Sequence, residues 1–486
     1  MIDVCLLLEG TYPYVSGGVS SWVHQLVSSM KDIRFAILYI SAHSDPTRKP
    51  KYVVPPNVIY LREINLHDYD LRTYRHRRPG KADYACVKSF YEELFNGNFK
   101  NLESFAQLFR GKKSCLDAVT VLSSMEIWQL LTEFYDRTAE GISFLDFFWT
   151  WRGTHLPLLQ ILQAEIPAAK IYHSVSTGYA GLLGCLAKME HDGKFFLTEH
   201  GIYTHERMLE ISQASWIYER EKRNFRADRE LSFFKQWWIG IFKVLSGLTY
   251  QSADRIFTLF EGNRLRQILE GAPSQKSSVI PNGINLRGFS SVQKEKKDVP
   301  QVGFVGRVVS IKDVKTFIQA ASLIVEKIPQ AQFTIIGPTE EEEDYYEECR
   351  ATVEALHLED NLRFTGRVNV KDYYRFMDVI VLTSLSEAQP YVILEANCMG
   401  IPVVATDVGA CREMLEGREG EDRWLGPSGL LTEVSNPQAT ADAVIRLLQD
   451  TDLYQSYSKS GCERVKKYYD QDDLLSRYLN IYEQNL

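Results

Sequence analysis

Short apolar runs alternate with amphipathic stretches along most of this chain, and that rhythm leaves few folds open. A continuous apolar run too short for a helix reads as a strand covered on both faces. Parallel strands need a crossover between them, usually a helix. The alternation therefore predicts parallel α/β units. It occurs in two blocks. In the first, residues 2–8, 35–40, 144–149, 170–173, 194–198 and 255–259 read as strands, and 19–30 as the first helix. Residues 41–140 break the rhythm and read as a mostly helical insertion rich in Arg, Tyr and Phe. In the second, residues 302–305, 332–336, 361–364, 379–382, 402–405 and 429–431 read as strands, each followed by a helical pattern such as 313–326 or 439–449. The polar, aperiodic stretch 290–300 reads as the linker. The expected organisation is a Rossmann-like domain over 1–289, a second over 300–469, and a helix over 470–486 that packs back on the first.

Composition narrows the function. The chain has 486 residues, 45% of them hydrophobic, enough for two cores. A net charge of −8 argues against a nucleic-acid partner. The eight cysteines include no C-x-x-C pair, so no zinc or iron–sulfur site is expected, and they read as reduced thiols of a cytoplasmic protein. The first residues lack a basic, signal-like start, and no apolar run is long enough to span a membrane. The basic run from Arg72 to Arg78 reads as a solvated face, with an anionic or membrane-proximal partner as the alternative. The run from Trp237 to Phe242 reads as a buried helix on the sheet, with membrane-surface contact as its alternative.

Ligands of open parallel sheets bind beyond the carboxyl ends of the strands. Two such domains in tandem would offer two such edges to one cleft. Gly303-Phe-Val-Gly306-Arg307 ends a strand, and Lys312 follows five residues later. Gly306 lets a ligand near the backbone, and the two cations suit a pyrophosphate at a helix N-terminus. After the strand at 379–382 comes Ser384-Leu-Ser386-Glu387-Ala-Gln-Pro390-Tyr391-Val392-Ile-Leu-Glu395. Glu387 stands in the loop, where it can accept sugar hydroxyls. Glu395 stands inside a helix that starts near Pro390 or Tyr391, a favourable place for proline. A carboxylate there, beside Ile393 and Leu394, is costly without a partner, and a ribose diol would supply one. Ser386 and the first helix amides, through Val392, can bind phosphate oxygens.

These elements, with Gly400-Ile-Pro-Val-Val-Ala-Thr, Val279-Ile-Pro-Asn-Gly-Ile-Asn285 and Ser16-Gly17-Gly18-Val19, resemble the retaining glycosyltransferases of family four, which have the two-Rossmann GT-B fold. Leu8-Glu-Gly-Thr-Tyr-Pro-Tyr-Val-Ser-Gly-Gly-Val19, Thr198-Glu-His-Gly-Ile-Tyr-Thr-His-Glu-Arg207 and Ser386-Glu-Ala-Gln-Pro390 resemble the soluble glycosyltransferases of bacterial Pel exopolysaccharide systems. The resemblance implies a UDP-sugar donor, a growing polysaccharide or other glycosyl acceptor, and work beside an inner-membrane synthase. It implies that Arg307 and Lys312 bind the diphosphate, Glu395 the ribose, and Glu387 and His200 the donor sugar. The backbone at Phe364-Thr-Gly-Arg367-Val368 is then the candidate for the base, and Gly17 and Gly18 for phosphate or acceptor. Glu199, Tyr203 and Arg207 are weaker site candidates. No metal or other cofactor is expected.

The chain departs from the family in one place. Ala388-Gln389-Pro390-Tyr391 stands where Gly-Phe-Gly is common, and Pro390 donates no hydrogen bond. The rival functions are a phosphorylase on the same fold, a non-catalytic UDP-binding scaffold or sensor of a synthase complex, and a nicotinamide dehydrogenase. The last needs a G-x-G-x-x-G fingerprint that Ser16-Gly17-Gly18 does not supply.

Overall fold

In the computed structural model, residues 1–68, 77–95, 101–214, 217, 231–290, 292, 294–295 and 297–486 are described. Residues 72–76 of the basic run lie outside them, and Arg77 is held by Asp83 at 2.6 Å. The elements run β1 (Ile2–Glu9), α1 (Gly18–Ser29), β2 (Phe35–Ser41), β3 (Val58–Asn65), α2 (Lys81–Phe95), α3 (Leu102–Ala106), α4 (Ala118–Ser123), α5 (Met125–Thr138), α6 (Phe144–Gln163), β4 (Ala169–Ser174), α7 (Tyr179–His191), β5 (Lys194–Glu199), α8 (Tyr203–Gln213), α9 (Phe233–Ser252), β6 (Arg255–Thr258), α10 (Glu261–Leu269) and β7 (Ser277–Val279). They continue with α11 (Leu286–Ser290), β8 (Gln301–Val305), α12 (Val314–Val325), β9 (Gln332–Ile336), α13 (Glu343–Ala355), β10 (Leu362–Phe364), α14 (Lys371–Tyr374), β11 (Val379–Leu382), α15 (Tyr391–Cys398), β12 (Val403–Thr406), α16 (Cys411–Glu416), β13 (Gly429–Thr432), α17 (Pro437–Gln449), α18 (Thr451–Tyr468) and α19 (Gln471–Glu483).

The chain forms two compact units. One holds Met1–Thr258, Arg264–Ser278 and Leu479–Leu486; the other holds Leu259–Asn263 and Val279–Tyr478. The first contains a seven-stranded sheet in the order β3-β2-β1-β4-β5-β6-β7, the second a six-stranded sheet in the order β10-β9-β8-β11-β12-β13. The pairings β1–β2, β1–β4, β8–β9 and β8–β11 are parallel, so each sheet reverses its strand order at its first strand. That reversal is the switch point at which doubly wound sheets hold ligands.

The second sheet shows why these strands read as unbroken apolar runs. Val302, Phe304, Ile335 and Val381 enter one core, and their neighbours Val305, Ile336, Ile380 and Leu382 enter another on the opposite face. Alternate residues of a strand point to opposite faces, and here both are covered.

One expectation fails. Residues 144–149 are not a strand; they open α6. The run is rich in aromatic residues, which favour strands. Yet Ser143 Oγ accepts from the Asp146 amide, capping a helix, and the buried Phe147, Trp151 and Thr154 follow helical spacing. The region 41–140 holds α2 to α5, as a helical insertion should, but also β3, which pairs in parallel with β2. As an edge strand, β3 exposes the apolar Ile59 and Leu61, so its sequence shows no alternation of apolar and polar residues. The run around Trp237 lies in α9, where Ile239 and Phe242 are buried.

Arg464 is fully buried in the second unit. Its Nε donates to Asp422 Oδ2 at 2.8 Å, Nη1 to the Leu415 carbonyl at 3.0 Å and Nη2 to the Gly426 carbonyl at 2.7 Å. Removing one partner of a buried pair leaves an uncompensated charge. Arg464→Ala should therefore cost about 3–5 kcal/mol in urea unfolding, whereas Arg350→Ala, which removes an exposed pair with Glu347, should cost less than about 1 kcal/mol. Equal losses would contradict this reading of Arg464.

Candidate functional site

The loops after β8 and β11 flank the switch point of the second sheet. Three backbone bonds bind the strand ends there: Gly306 N to Ile336 O at 2.9 Å, Val308 N to Pro338 O at 2.9 Å, and Gly337 N to Gly366 O at 3.2 Å. A Cβ on Gly337, whose φ is +151°, would lie 2.0 Å from the Gly306 carbonyl, so only glycine fits that crossing. The loop after β11 is tied down too. Leu385 N donates to Ile311 O at 2.9 Å, and Thr383 Oγ1 to the carbonyls of Lys312 and Asp313 at 3.1 and 2.9 Å.

This frame brings Lys312 and Glu387 into a half-buried ion pair. Glu387 Oε1 takes both Lys312 Nζ and, at 2.6 Å, Ser384 Oγ, which leaves Oε2 open. Arg307 does not join them: its guanidinium pairs with Glu341 at 2.6 Å and is exposed. Ser386, Arg367 and Val368 are exposed, and Val392 is half-buried in the first turn of α15. Tyr391 starts that helix directly after Pro390.

Glu395 lies one turn further along α15, on the same face as Tyr391. Burial pushes its pKa up, opposed by a hydrogen bond from Tyr374 and by nearby Lys371. The Tyr374 hydroxyl donates to Oε2 at 2.8 Å, so one carboxylate oxygen remains for a ligand. Nothing in the sequence links Tyr374 to Glu395, which are 21 residues apart. The same holds for Gln389. It is buried, its Oε1 accepts from Asn282 N at 2.7 Å, and its Nε2 donates to the Asn282 carbonyl at 3.5 Å. The departure at Ala388–Pro390 is thus a clamp on the segment around Asn282.

In the first unit, Gly17 and Gly18 follow β1, and a Cβ on either would meet nothing within 4 Å. The protein's own packing does not require glycine there. His200 follows β5, is buried, and meets the Trp22 ring edge-on at 4.9 Å. Burial lowers its pKa to about 4, so the ring is neutral at physiological pH. Glu199 is turned inward. Its Oε2 accepts from Tyr250 OH at 2.8 Å and Gln267 Nε2 at 2.9 Å, and its Oε1 from Tyr203 N at 2.9 Å and Thr177 Oγ1 at 3.4 Å. Tyr203 OH donates to Glu9 Oε1 at 2.6 Å, and Arg207 pairs with Glu210. These arrangements give Glu199 and Tyr203 internal partners in place of an open face. Among the described residues no three His, Cys, Asp or Glu side chains stand close enough to hold a metal ion.

A family described as "Domain of unknown function (DUF3492)" matches residues 2–275, and one described as "Glycosyl transferases group 1" matches residues 299–450. The N-acetyl-alpha-D-glucosaminyl L-malate synthase of Bacillus anthracis is 30% identical over 35% of this chain and 42% of its own length. The phosphatidyl-myo-inositol mannosyltransferase of Mycobacterium leprae is 30% identical over 42% of this chain and 52% of its own. This chain thus spans about half the length of the curated relatives it matches. HepE of Anabaena, solved in complex with UDP, superposes over 99% of this chain and 100% of its own with a TM-score of 0.61 at 14% identity. Sucrose-phosphate synthase from Thermosynechococcus elongatus does so over 99% and 98% with a TM-score of 0.58 at 17% identity. The shared feature is the GT-B fold.

Glu199 has a consequence for stability. Burial pushes its pKa from 4.5 up to about 7, against the pull of Gln267, Tyr203 and Tyr250. Between those values the folded state holds a proton that the unfolded chain releases. Its stabilising effect is full below about 4.5 and is lost as pH rises through about 7. In urea unfolding, the wild type should lose stability relative to Glu199→Gln across that window, by at most about 1.4 kcal/mol per pH unit. A difference that does not change with pH would show that the buried carboxyl titrates as it does unfolded.

Proposed function

We propose that this chain, which belongs to the DUF3492 family, is a retaining, metal-independent glycosyltransferase that uses a UDP-sugar to build a bacterial exopolysaccharide of the Pel kind. One observation carries the reading. At the switch point of the second sheet Lys312 pairs with Glu387, and α15, which carries Glu395 with its open oxygen, begins four residues after Glu387, all in a segment that matches the group 1 glycosyl transferases. One relative named above is a mannosyltransferase, and a protein of like fold was solved with UDP, which supports the donor class. The Pel assignment, and with it a cytoplasmic place beside a membrane synthase, rests on the resemblance of the three motifs ending at Val19, Arg207 and Pro390.

The chemistry follows from the charges. As the donor C1–O bond breaks toward an oxocarbenium-like state, negative charge grows on the diphosphate. Lys312, Arg307 and the amides at the start of α15 offset it where it develops. Lys312 and Arg307 exchange Glu387 and Glu341 for phosphate oxygens. Glu387 is then available to the donor sugar's hydroxyls, and Glu395 Oε1 accepts a ribose hydroxyl. The acceptor hydroxyl attacks from the leaving-group face and passes its proton to a phosphate oxygen. No protein nucleophile is needed, and the anomeric configuration is kept.

Calorimetric titration tests this reading. UDP should bind in the presence of EDTA and more tightly than GDP, ADP or NAD. Glu395→Ala, which removes a hydrogen bond to a charged group worth about 1.5–3 kcal/mol, should weaken UDP roughly 10- to 100-fold, and Arg307→Ala should weaken it as well. UDP binding indifferent to both substitutions, or binding of NAD alone, would overturn the site.

A further inference from the structure

The helical part of the first unit contains a second feature unconnected with nucleotide chemistry. Helices α2, α3, α5, α6 and α9 surround a cavity of about 360 Å³. Tyr91, Phe105, Phe134 and Trp237 form much of its wall, and among the described residues no charged one lines it. A smaller cavity of about 60 Å³ shares Tyr91, Phe105, Phe134 and His155. Native interiors are close-packed, and an engineered apolar void of roughly 150 Å³ already takes up benzene. A volume of about 360 Å³ falls within the range of small-molecule pockets, roughly 300–1,000 Å³.

Two residues define what would fit. Gly240 lies in the wall of the larger cavity within α9, and a Cβ added to it would meet nothing within 4 Å. Glycine in a helix interior is unfavourable, and here it leaves the wall open. His155 lines both cavities and, like Tyr91, brings a polar atom to each. Its ring stacks between Trp151, with centroids 5.0 Å apart, and Tyr91, at 5.6 Å. Its Nδ1 lies 2.8 Å from the Trp151 carbonyl, which can only accept, so Nδ1 carries the hydrogen. Burial holds the ring neutral, with a pKa lowered to about 4. Nε2 is then a bare acceptor, and among the described residues it has no hydrogen-bond partner. Among the described residues, charged ones line the smaller cavity and not the larger: Lys88 is paired with Glu133 at 2.6 Å, and Glu92 and Arg137 also line the smaller wall.

We propose that this cavity binds an apolar molecule bearing one hydroxyl group, of the class of long-chain alcohols, with the chain among the rings and the hydroxyl donating to His155 Nε2. A bare acceptor without a cation in the larger wall favours an alcohol and disfavours a carboxylate. The site belongs to the first unit and does not depend on the glycosyltransferase reading.

The test uses the full chain and follows tryptophan fluorescence, since Trp151 and Trp237 line the cavities. At pH 7.5, 1-decanol should quench saturably with one site and bind at least tenfold more tightly than decanoate. Gly240→Phe, which fills the space, should weaken decanol at least tenfold at an unchanged thermal midpoint. His155→Leu, a gentler change, should leave an apolar pocket that has lost most of its preference for decanol over decanoate. Non-saturable quenching by decanol, equal binding of decanoate to the wild type, or decanol binding indifferent to both substitutions would overturn the proposal.

Discussion

Covering each parallel sheet on both faces decides where chemistry can occur in this molecule. In the second unit β8, β9, β11 and β12 divide their side chains between two cores, so the sheet interior has no room for a solvated polar group. Backbone polarity is satisfied by the ladders, and the remaining freedom lies in the loops beyond the strand ends. Strand order then selects among the loops. Where β8 is flanked by β9 on one side and β11 on the other, the connections leave in opposite directions and a crevice opens. Lys312 and Glu387 are delivered to that place by topology, although 75 residues separate them.

The carboxylates show how the same residue type is put to different uses. Glu199 is encircled by four donors, and its burial is compensated within the unit. Glu9 is likewise engaged by Tyr203 OH and by the amides of Tyr179 and Ala180. Glu395 is half-buried with one donor, Tyr374, and Glu387 keeps a free oxygen beside Lys312. An accessible carboxylate oxygen without a protein donor is left to water or to a ligand. The shortfall at 387 and 395, set against full satisfaction at 9 and 199, marks the former pair as prepared for something else.

How much of this was legible from the sequence depended on periodicity. The runs at 302–305, 332–336 and 379–382 are buried on both faces and correspond to β8, β9 and β11. The strand β3 was not visible, because an edge strand that exposes Ile59 and Leu61 follows no clean pattern. The start of α6 was misleading, because its aromatic residues favour strands while the decisive feature was a single capping serine, Ser143. The positions of Arg307, Lys312 and Glu387 after strand ends, and of Glu395 in the helix that follows, could be read from local order. Their partners could not. Tyr374, Glu341 and Asn282 meet them or their loop through tertiary folding, and no spacing rule foretells such contacts.

Gln389 shows why that second layer matters. Between Glu387 and α15, this chain replaces the small, amide-rich turn common in family four with a buried glutamine followed by a proline. Pro390 offers no amide, so the free N–H groups at the helix start begin with Tyr391 and Val392. In exchange, the side chain of Gln389 grips both backbone groups of Asn282. On the other side, Ala410 N donates to the Ala388 carbonyl at 2.8 Å, and Gly409, with φ +54°, passes so close that a Cβ would lie 1.9 Å from the Glu387 carbonyl. The loop carrying Glu387 is therefore pinned from two directions before any ligand arrives. A group held in place in advance needs little reorganisation as charge develops nearby, and that is the condition under which a modest set of charges and dipoles is most effective.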